Sequence, residues 1–137
     1  MNTATLLLGS NLKNRKKNIE TALAFINQEV GVVKKKSEFL ETEPVGYESE
    51  HLYINAGAVV ETNLSPIQLL KQVKSIEKKM GREHDSSISG HLEDRIIDID
   101  IIYYEKIRYK SKKLILPHLA HTTERAFSKE ILRHLVE

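Results

Sequence analysis

The chain contains neither cysteine nor tryptophan. Without a thiol there is no disulfide scaffold, no thiolate zinc site and no cysteine nucleophile, and a reducing cytoplasm is the expected setting. A large excess of one sign of charge is also missing. Lys+Arg 21 against Asp+Glu 19 leaves +2, so no overall field demands nucleic acid or an anionic membrane. Long apolar runs are missing as well. "MNTATLLLGSN" lacks a basic start and has only a short apolar stretch, so neither a signal peptide nor a membrane span is expected. There is no repeat, low-complexity tract or linker. What is present, 40% hydrophobic and 29% charged over 137 residues, suits one globular domain over 1–137, long enough to bury a core.

The periodicities suggest an order of elements. "TATLLLG" reads as a buried strand ended by glycine. A helix follows within 10–31, with Ser10 or Asn11 as cap, an apolar stripe at Ile19, Leu23, Ile26 and Val30, and Gly31 just past its end. "VVKKKSEFLETEPVG" reads as one strand running into a turn at Pro44 and Gly46. "LYINAGAVVET" alternates, with Leu52, Ile54, Ala56, Ala58 and Val60 on one face and Tyr53, Asn55, Gly57 and Val59 on the other. Ser65-Pro66-Ile67-Gln68 combines a capping box with proline at the first helical position. Leu69, Val73, Ile76 and Met80 continue that second helix, and Gly81 closes it. Residues 82–95 read as a long polar loop, 94–104 as a strand and 106–116 as a hairpin. A short last helix carries Ile131, Leu132 and Leu135. The order βαββαβ plus a tail predicts a ferredoxin-like α+β sandwich: a four-stranded antiparallel sheet, helices on one face, and a C-terminal extension. The other face is left partly open for a site.

The strand "DRIIDIDIIYY" holds the sharpest chemical signal. Asp98 and Asp100 leave the same face, roughly 6.5–7 Å apart along the strand, while Ile97, Ile99 and Ile101 leave the other. Burying two like charges side by side is costly, so basic side chains or metal ions are expected above them. Two carboxylates suit Mg²⁺, although the spacing also fits an exposed acidic edge with Arg95 beside it. Lys71, Lys74, Lys78, Lys79, Arg82, His84, His91 and Arg95 gather nearby in sequence. The lysines fit a solvated helix face, whereas Arg82 and Arg95, which bracket the loop, fit polyphosphate contacts. Tyr53 and Asn55 share a face and offer an aromatic plane and an amide to a flat heterocycle, or form an ordinary surface pair. "LLLGSN" could attract an anion at a helix entry but lacks the P-loop pattern. His118 in "LPHL" follows a strand-ending proline, where a packing or loop histidine is commoner than a functional one.

As an ordered series, the segments resemble 6-hydroxymethyl-7,8-dihydropterin pyrophosphokinase of folate biosynthesis. "LLLGSNL", "SEFLETEPVG", "YINAGAVVET", "IEKKMGR", "DRIIDIDIIYY", "LILPH" and "ERAF" are similar to its successive blocks over nearly the whole chain. The resemblance implies transfer of pyrophosphate from ATP to the pterin hydroxymethyl oxygen, with AMP released. Asp98 and Asp100 would hold two Mg²⁺ ions, and Arg82 and Arg95 would join them in catalysis. Tyr53 and Phe127 would sandwich the pterin, while Thr42, Val45 (through its backbone) and Asn55 would bond its edge. Glu77, Arg82, His84, Arg95, His118 and Arg125 would face ATP, and Asp98 is a candidate proton acceptor. A monomer acting on small molecules, without nucleic acid or membrane, is expected.

The chain also departs from the family pattern. His84 stands where a second arginine is usual, Leu92 is nearest to the missing loop tryptophan, and Lys74 replaces a glutamine. The loop and the "HLAHTTER" segment are slightly long, so the clamp over ATP is expected to be altered. Two competing readings are a non-catalytic pterin- or nucleotide-binding relative and an RNA-binding sheet. Outward-facing acids disfavour the second.

Overall fold

A computed structural model describes residues 1–42, 52–81, 96–118, 121–122 and 125–136. Its central ladder joins β1 (Asn2–Ser10) to β4 (Tyr53–Thr62), antiparallel from Asn2↔Thr62 to Ser10↔Ile54. On the other side of β1 lies β5 (Asp98–Tyr104), also antiparallel. Two short strands pair with β4: β2 (Gly31–Lys36) and β3 (Leu40–Thr42). The order β2-β4-β1-β5, with β3 beside β4, is that of a ferredoxin-like sheet.

One face of the sheet carries Leu6, Leu8, Ile54, Ala56, Ala58, Val60, Ile99 and Ile101. Against it pack Ile19, Ala22, Leu23 and Ile26 of α1 (Arg15–Glu29) and Leu69, Val73 and Ile76 of α2 (Pro66–Lys79). Each large side chain fully buried here contributes about 1.5–3 kcal/mol. The capping box of α2 forms as expected: Gln68 N–H donates to Ser65 Oγ at 3.2 Å, and Ser65 N–H donates to Gln68 Oε1 at 2.8 Å. Beyond α2, Gly81 has φ +109°, a conformation that favours glycine.

Four expectations need correction. The cap of α1 is Asn14, whose Oδ1 accepts from Lys17 N–H; Ser10 ends β1 and Asn11 follows it, both buried. A turn with Lys13 at φ 60° separates strand from helix, so the helix starts later than the apolar pattern suggests. The second strand is also broken. Ser37 N–H donates to Gly57 O at 2.9 Å and Ser37 Oγ accepts from Gly57 N–H at 2.8 Å, which interrupts the ladder before β3 resumes it. The sheet therefore has five strands.

Helices also occupy both faces. α3 (Ala126–Val136) packs Ile131, Leu132 and Leu135 against Leu7 and Ile102 on the second face. Gly57 makes this approach possible, since a Cβ there would lie 2.5 Å from Leu135 Cδ1 and 2.8 Å from Ile131 Cγ2. Finally, β5 is irregular. Leu6 pairs with Ile101 and Thr5 with Tyr103, so Ile102 is an extra residue that turns to the second face while Tyr104 returns to the first.

The expected hairpin is a small separate sheet of β6 (Tyr109–Lys110) and β7 (Ile115–Leu116). Among the described residues, no helix is long and apolar enough to cross a membrane.

Candidate active site

The uncovered part of the second face lies at one end of β1, and register brings three strands together there. Gly9 pairs with Asn55 on one side and with Asp98 on the other. Asn55 is buried, and its Nδ2 donates to Thr42 Oγ1 at 2.6 Å and Leu40 O at 3.4 Å. The amide nitrogen is thereby committed, and Oδ1 faces the space above Gly9. A Cβ on Gly9 would lie 3.0 Å from Asn55 Oδ1 and 3.3 Å from the Tyr53 ring, so only a hydrogen leaves this corner open. Phe127, at the start of α3, joins the apolar cluster of Leu7 and Leu40 on the same face. Thr42, Tyr53, Asn55 and Phe127 thus share one side of the sheet.

Beside them, Asp98 and Asp100 leave β5 on that side as the alternation requires, both half-buried. Asp100 has the expected basic cover, which includes residues that strand periodicity did not reveal. His121 Nε2 lies 2.7 Å from Asp100 Oδ2, and His121 Nδ1 lies 2.5 Å from Ser128 Oγ. Both His121 and Ser128 are buried. Arg125 Nη1 is 3.3 Å from His121 Nε2, and the His118 ring stacks at a tilt on His121 with centroids 4.4 Å apart. Phe127 meets the same imidazole edge-on at 6.2 Å. Burial, the strongest influence on Asp100, opposes its ionisation. The His121 hydrogen bond and the charges of His121, His118 and Arg125 outweigh that burial and hold the carboxyl below its ordinary range. His118 is shifted down, chiefly by burial, with Asp100 opposing and His121 and Arg125 adding to the effect.

Along β5 a cavity of about 420 Å³ is lined by Leu70, Lys74, Ile99, Asp100, Ile101, Lys112, Lys113, Leu114, Ile115 and His118. Glu77 does not line it. Its carboxylate is buried under the strand, where Oε2 accepts from Ile99 N–H at 2.7 Å and Oε1 lies 3.5 Å from Lys74 Nζ. β5 is an edge strand, so its outward amides lack a strand partner, and Glu77 satisfies one of them. Val45, Arg82, His84 and Arg95 lie outside the described residues.

Residues 5–137 match the family described as 7,8-dihydro-6-hydroxymethylpterin-pyrophosphokinase (HPPK). The chain belongs to that family. It is 39% identical over 114 residues to the 2-amino-4-hydroxy-6-hydroxymethyldihydropteridine pyrophosphokinase of Porphyromonas gingivalis, covering 82% of this chain and 77% of that one. With the Bacillus subtilis protein of the same name it shares 33% over 118 residues, 85% of this chain and 68% of the relative. The Folic acid synthesis protein fol1 of Schizosaccharomyces pombe is 38% identical over 134 residues, but the chain spans only 17% of it. Among solved structures, the HPPK-DHPS protein of Plasmodium falciparum with pteroate superposes with a TM-score of 0.71 at 20% identity. That match covers 95% of this chain and 38% of the other, a likeness of fold.

Within this HPPK chain, the residues missed by sequence reasoning are His121, Ser128, Lys112 and Lys113. "HLAHTTERAF" contains the first, but nothing local shows that residues 121 and 128 meet residue 100. Lys112 and Lys113 fall within 106–116, where the sequence suggests a hairpin and no chemical role.

Proposed function

We propose that this chain transfers pyrophosphate from ATP to the hydroxymethyl oxygen of 6-hydroxymethyl-7,8-dihydropterin, releasing AMP, in folate synthesis. The observation that carries the reading is the shared register of Asn55, Gly9 and Asp98. Neighbouring strands lie about 4.8 Å apart, so the ring-binding amide and the first carboxylate stand roughly 10 Å apart across a bare glycine. A bicyclic ring held at Asn55 and Thr42 directs its substituent toward Asp98. Tyr53 and Phe127 supply aromatic surface to the ring, and the backbone of Val45 completes its edge.

The cavity along β5 is of a size that suits an adenosine group. Its apolar floor faces the base, and Lys74, Lys112 and Lys113 supply positive charge at its rim. Glu77 acts on this side from beneath, by fixing Ile99 between the two aspartates. His118 and Arg125 would face the phosphates, and the same role is proposed for Arg82, His84 and Arg95.

The donors at Asp98 and Asp100 fit Mg²⁺: hard carboxylate oxygens, half-buried, leaving one strand face in adjacent outward positions. Those two residues would hold two ions, which would supply charge neutralisation on the phosphate oxygens when bound. The protein's own part is positioning. The hydroxyl oxygen attacks the β-phosphorus in line, the bond from that phosphorus to the α,β-bridging oxygen breaks, and the hydroxyl proton passes to Asp98. A cytoplasmic monomer forming a single domain over 1–137 completes the reading.

The test is AMP formation from ATP, Mg²⁺ and the hydroxymethyl dihydropterin. Asp98→Ala and Asp100→Ala should each lower turnover on the order of 10³-fold with the fold and pterin binding kept. Pterin binding by the wild type without AMP would instead indicate a non-catalytic relative, and full activity in either variant would exclude the carboxylate pair from the chemistry.

A further inference from the structure

Asp100 belongs to a three-residue chain whose other members have no place in the reaction derived above. Ser128 Oγ lies 2.5 Å from His121 Nδ1, and His121 Nε2 lies 2.7 Å from Asp100 Oδ2. Ser128 is fully buried and His121 is 2% exposed, whereas the Asp100 side chain is 27% exposed. The chain thus runs from the interior of the α3 layer to a carboxylate at the edge of the open site. We infer that His121, locked by Ser128, is a positioning residue that fixes the orientation of the Asp100 carboxylate for the divalent cation. The inference rests on the proposed function.

The chemistry supports a directional lock. A carboxylate accepts only, so a 2.7 Å contact puts the imidazole proton on Nε2. In the neutral ring Nδ1 must then accept, and the donor beside it is the Ser128 hydroxyl. The hydroxyl can also turn to accept from a charged ring, so neither protonation state of His121 leaves a buried atom unpaired. Oδ2 is committed to the imidazole, which leaves Oδ1 for a cation. Without this bond Asp100 could rotate about its terminal torsion, which has broad, roughly two-fold preferences. Supporting partners of this kind orient the carboxylates and imidazoles of metal sites, and losing one typically costs about 10–100-fold in metal affinity or activity. Here the support comes from a residue 21 positions along the chain from the aspartate.

The experiment measures Mn²⁺ binding to the full chain by electron paramagnetic resonance, with a non-hydrolysable ATP analogue, beside pterin binding by calorimetry. His121→Leu should weaken Mn²⁺ by about 10–100-fold while pterin affinity stays close to wild type. His121→Gln, whose terminal amide can place a donor near the lost Nε2, should recover most of the Mn²⁺ affinity. Ser128→Ala should show a smaller loss in the same direction, and it tests the inference even if the leucine variant fails to fold. Wild-type Mn²⁺ affinity in both His121→Leu and Ser128→Ala overturns the inference and leaves the proposed function standing. Equal loss of Mn²⁺ and pterin in every variant also overturns it, because that would mark a purely structural role. A wild-type protein that takes up no Mn²⁺ with the nucleotide overturns the inference and the proposed function together.

Discussion

Asn55 and Asp98 face each other across Gly9, each paired with that one residue from opposite sides of β1. An amide that suits a heterocycle and a carboxylate that suits a cation are therefore two strands apart on a rigid sheet, with no loop between them. The separation is set by backbone hydrogen bonds, the least adjustable distances in the fold. The sheet itself thus holds Asn55 and Asp98 in fixed relation.

Gly9→Val is expected to disturb the ring pocket more than the fold. The new side chain would start 3.0 Å from Asn55 Oδ1 and 3.3 Å from the Tyr53 ring. Overpacking of about 1–3 kcal/mol, if it must be relieved for the ring to bind, corresponds to roughly 5- to 150-fold loss of pterin affinity. Calorimetry with the pterin and a thermal melt would separate the two effects. Undiminished affinity would place the ring elsewhere.

Gly57→Ala should act on α3. Its methyl would meet Leu135 Cδ1 at 2.5 Å and Ile131 Cγ2 at 2.8 Å. The helix must shift outward, at about 1–3 kcal/mol. A thermal midpoint lowered by a few degrees is expected, together with weaker pterin binding, because Phe127 rides on the same helix. A melt identical to wild type would show that the helix yields without cost.

Glu77→Ala leaves the Ile99 amide without its buried acceptor and should cost about 1–3 kcal/mol. Glu77→Gln keeps an acceptor in place and should cost less. Because Ile99 lies between Asp98 and Asp100, turnover should fall in the alanine variant beyond what lost stability explains. Denaturant unfolding beside the AMP assay would show whether the two losses separate.

The elements readable from the sequence are those with local causes. The capping box of α2, the alternation of "YINAGAVVET" and the same-face acids follow from neighbouring residues alone, and all three hold. The break at Ser37 was hidden because its partner is Gly57, twenty positions on. The second-face cover was underestimated because Ile131, Leu132 and Leu135 announce an amphipathic helix without saying which surface it meets. His121 and Ser128 were invisible for the same reason. Their significance is a contact with Asp100, and no local spacing encodes it.

Acid should destabilise the metal-free protein in two stages. The folded state holds His118 below its ordinary value, chiefly through burial, and this contribution is present above about 6.5 and fades as pH falls below it. Asp100 is also shifted down, the net result of burial opposed by His121, His118 and Arg125. Its contribution is present above about 3.9 and is lost at lower pH. Chelator-treated protein melted between pH 8 and 3 should lose stability in that order. His118→Gln should flatten the upper stage and, because the His118 charge also helps to lower Asp100, weaken the lower one slightly; an unchanged upper stage would exclude His118 as its source.

The extra residue at Ile102 has a consequence for how one strand serves two purposes. In an uninterrupted strand parity persists, so the phase that sends Asp98 and Asp100 outward would send Tyr104 outward too. The insertion reverses that phase midway. Tyr104 is thereby seated in the interior, where its hydroxyl accepts from Asn2 Nδ2 and donates to Leu64 O. Deleting one residue there would force a choice between exposing the tyrosine and folding both aspartates in among the isoleucines.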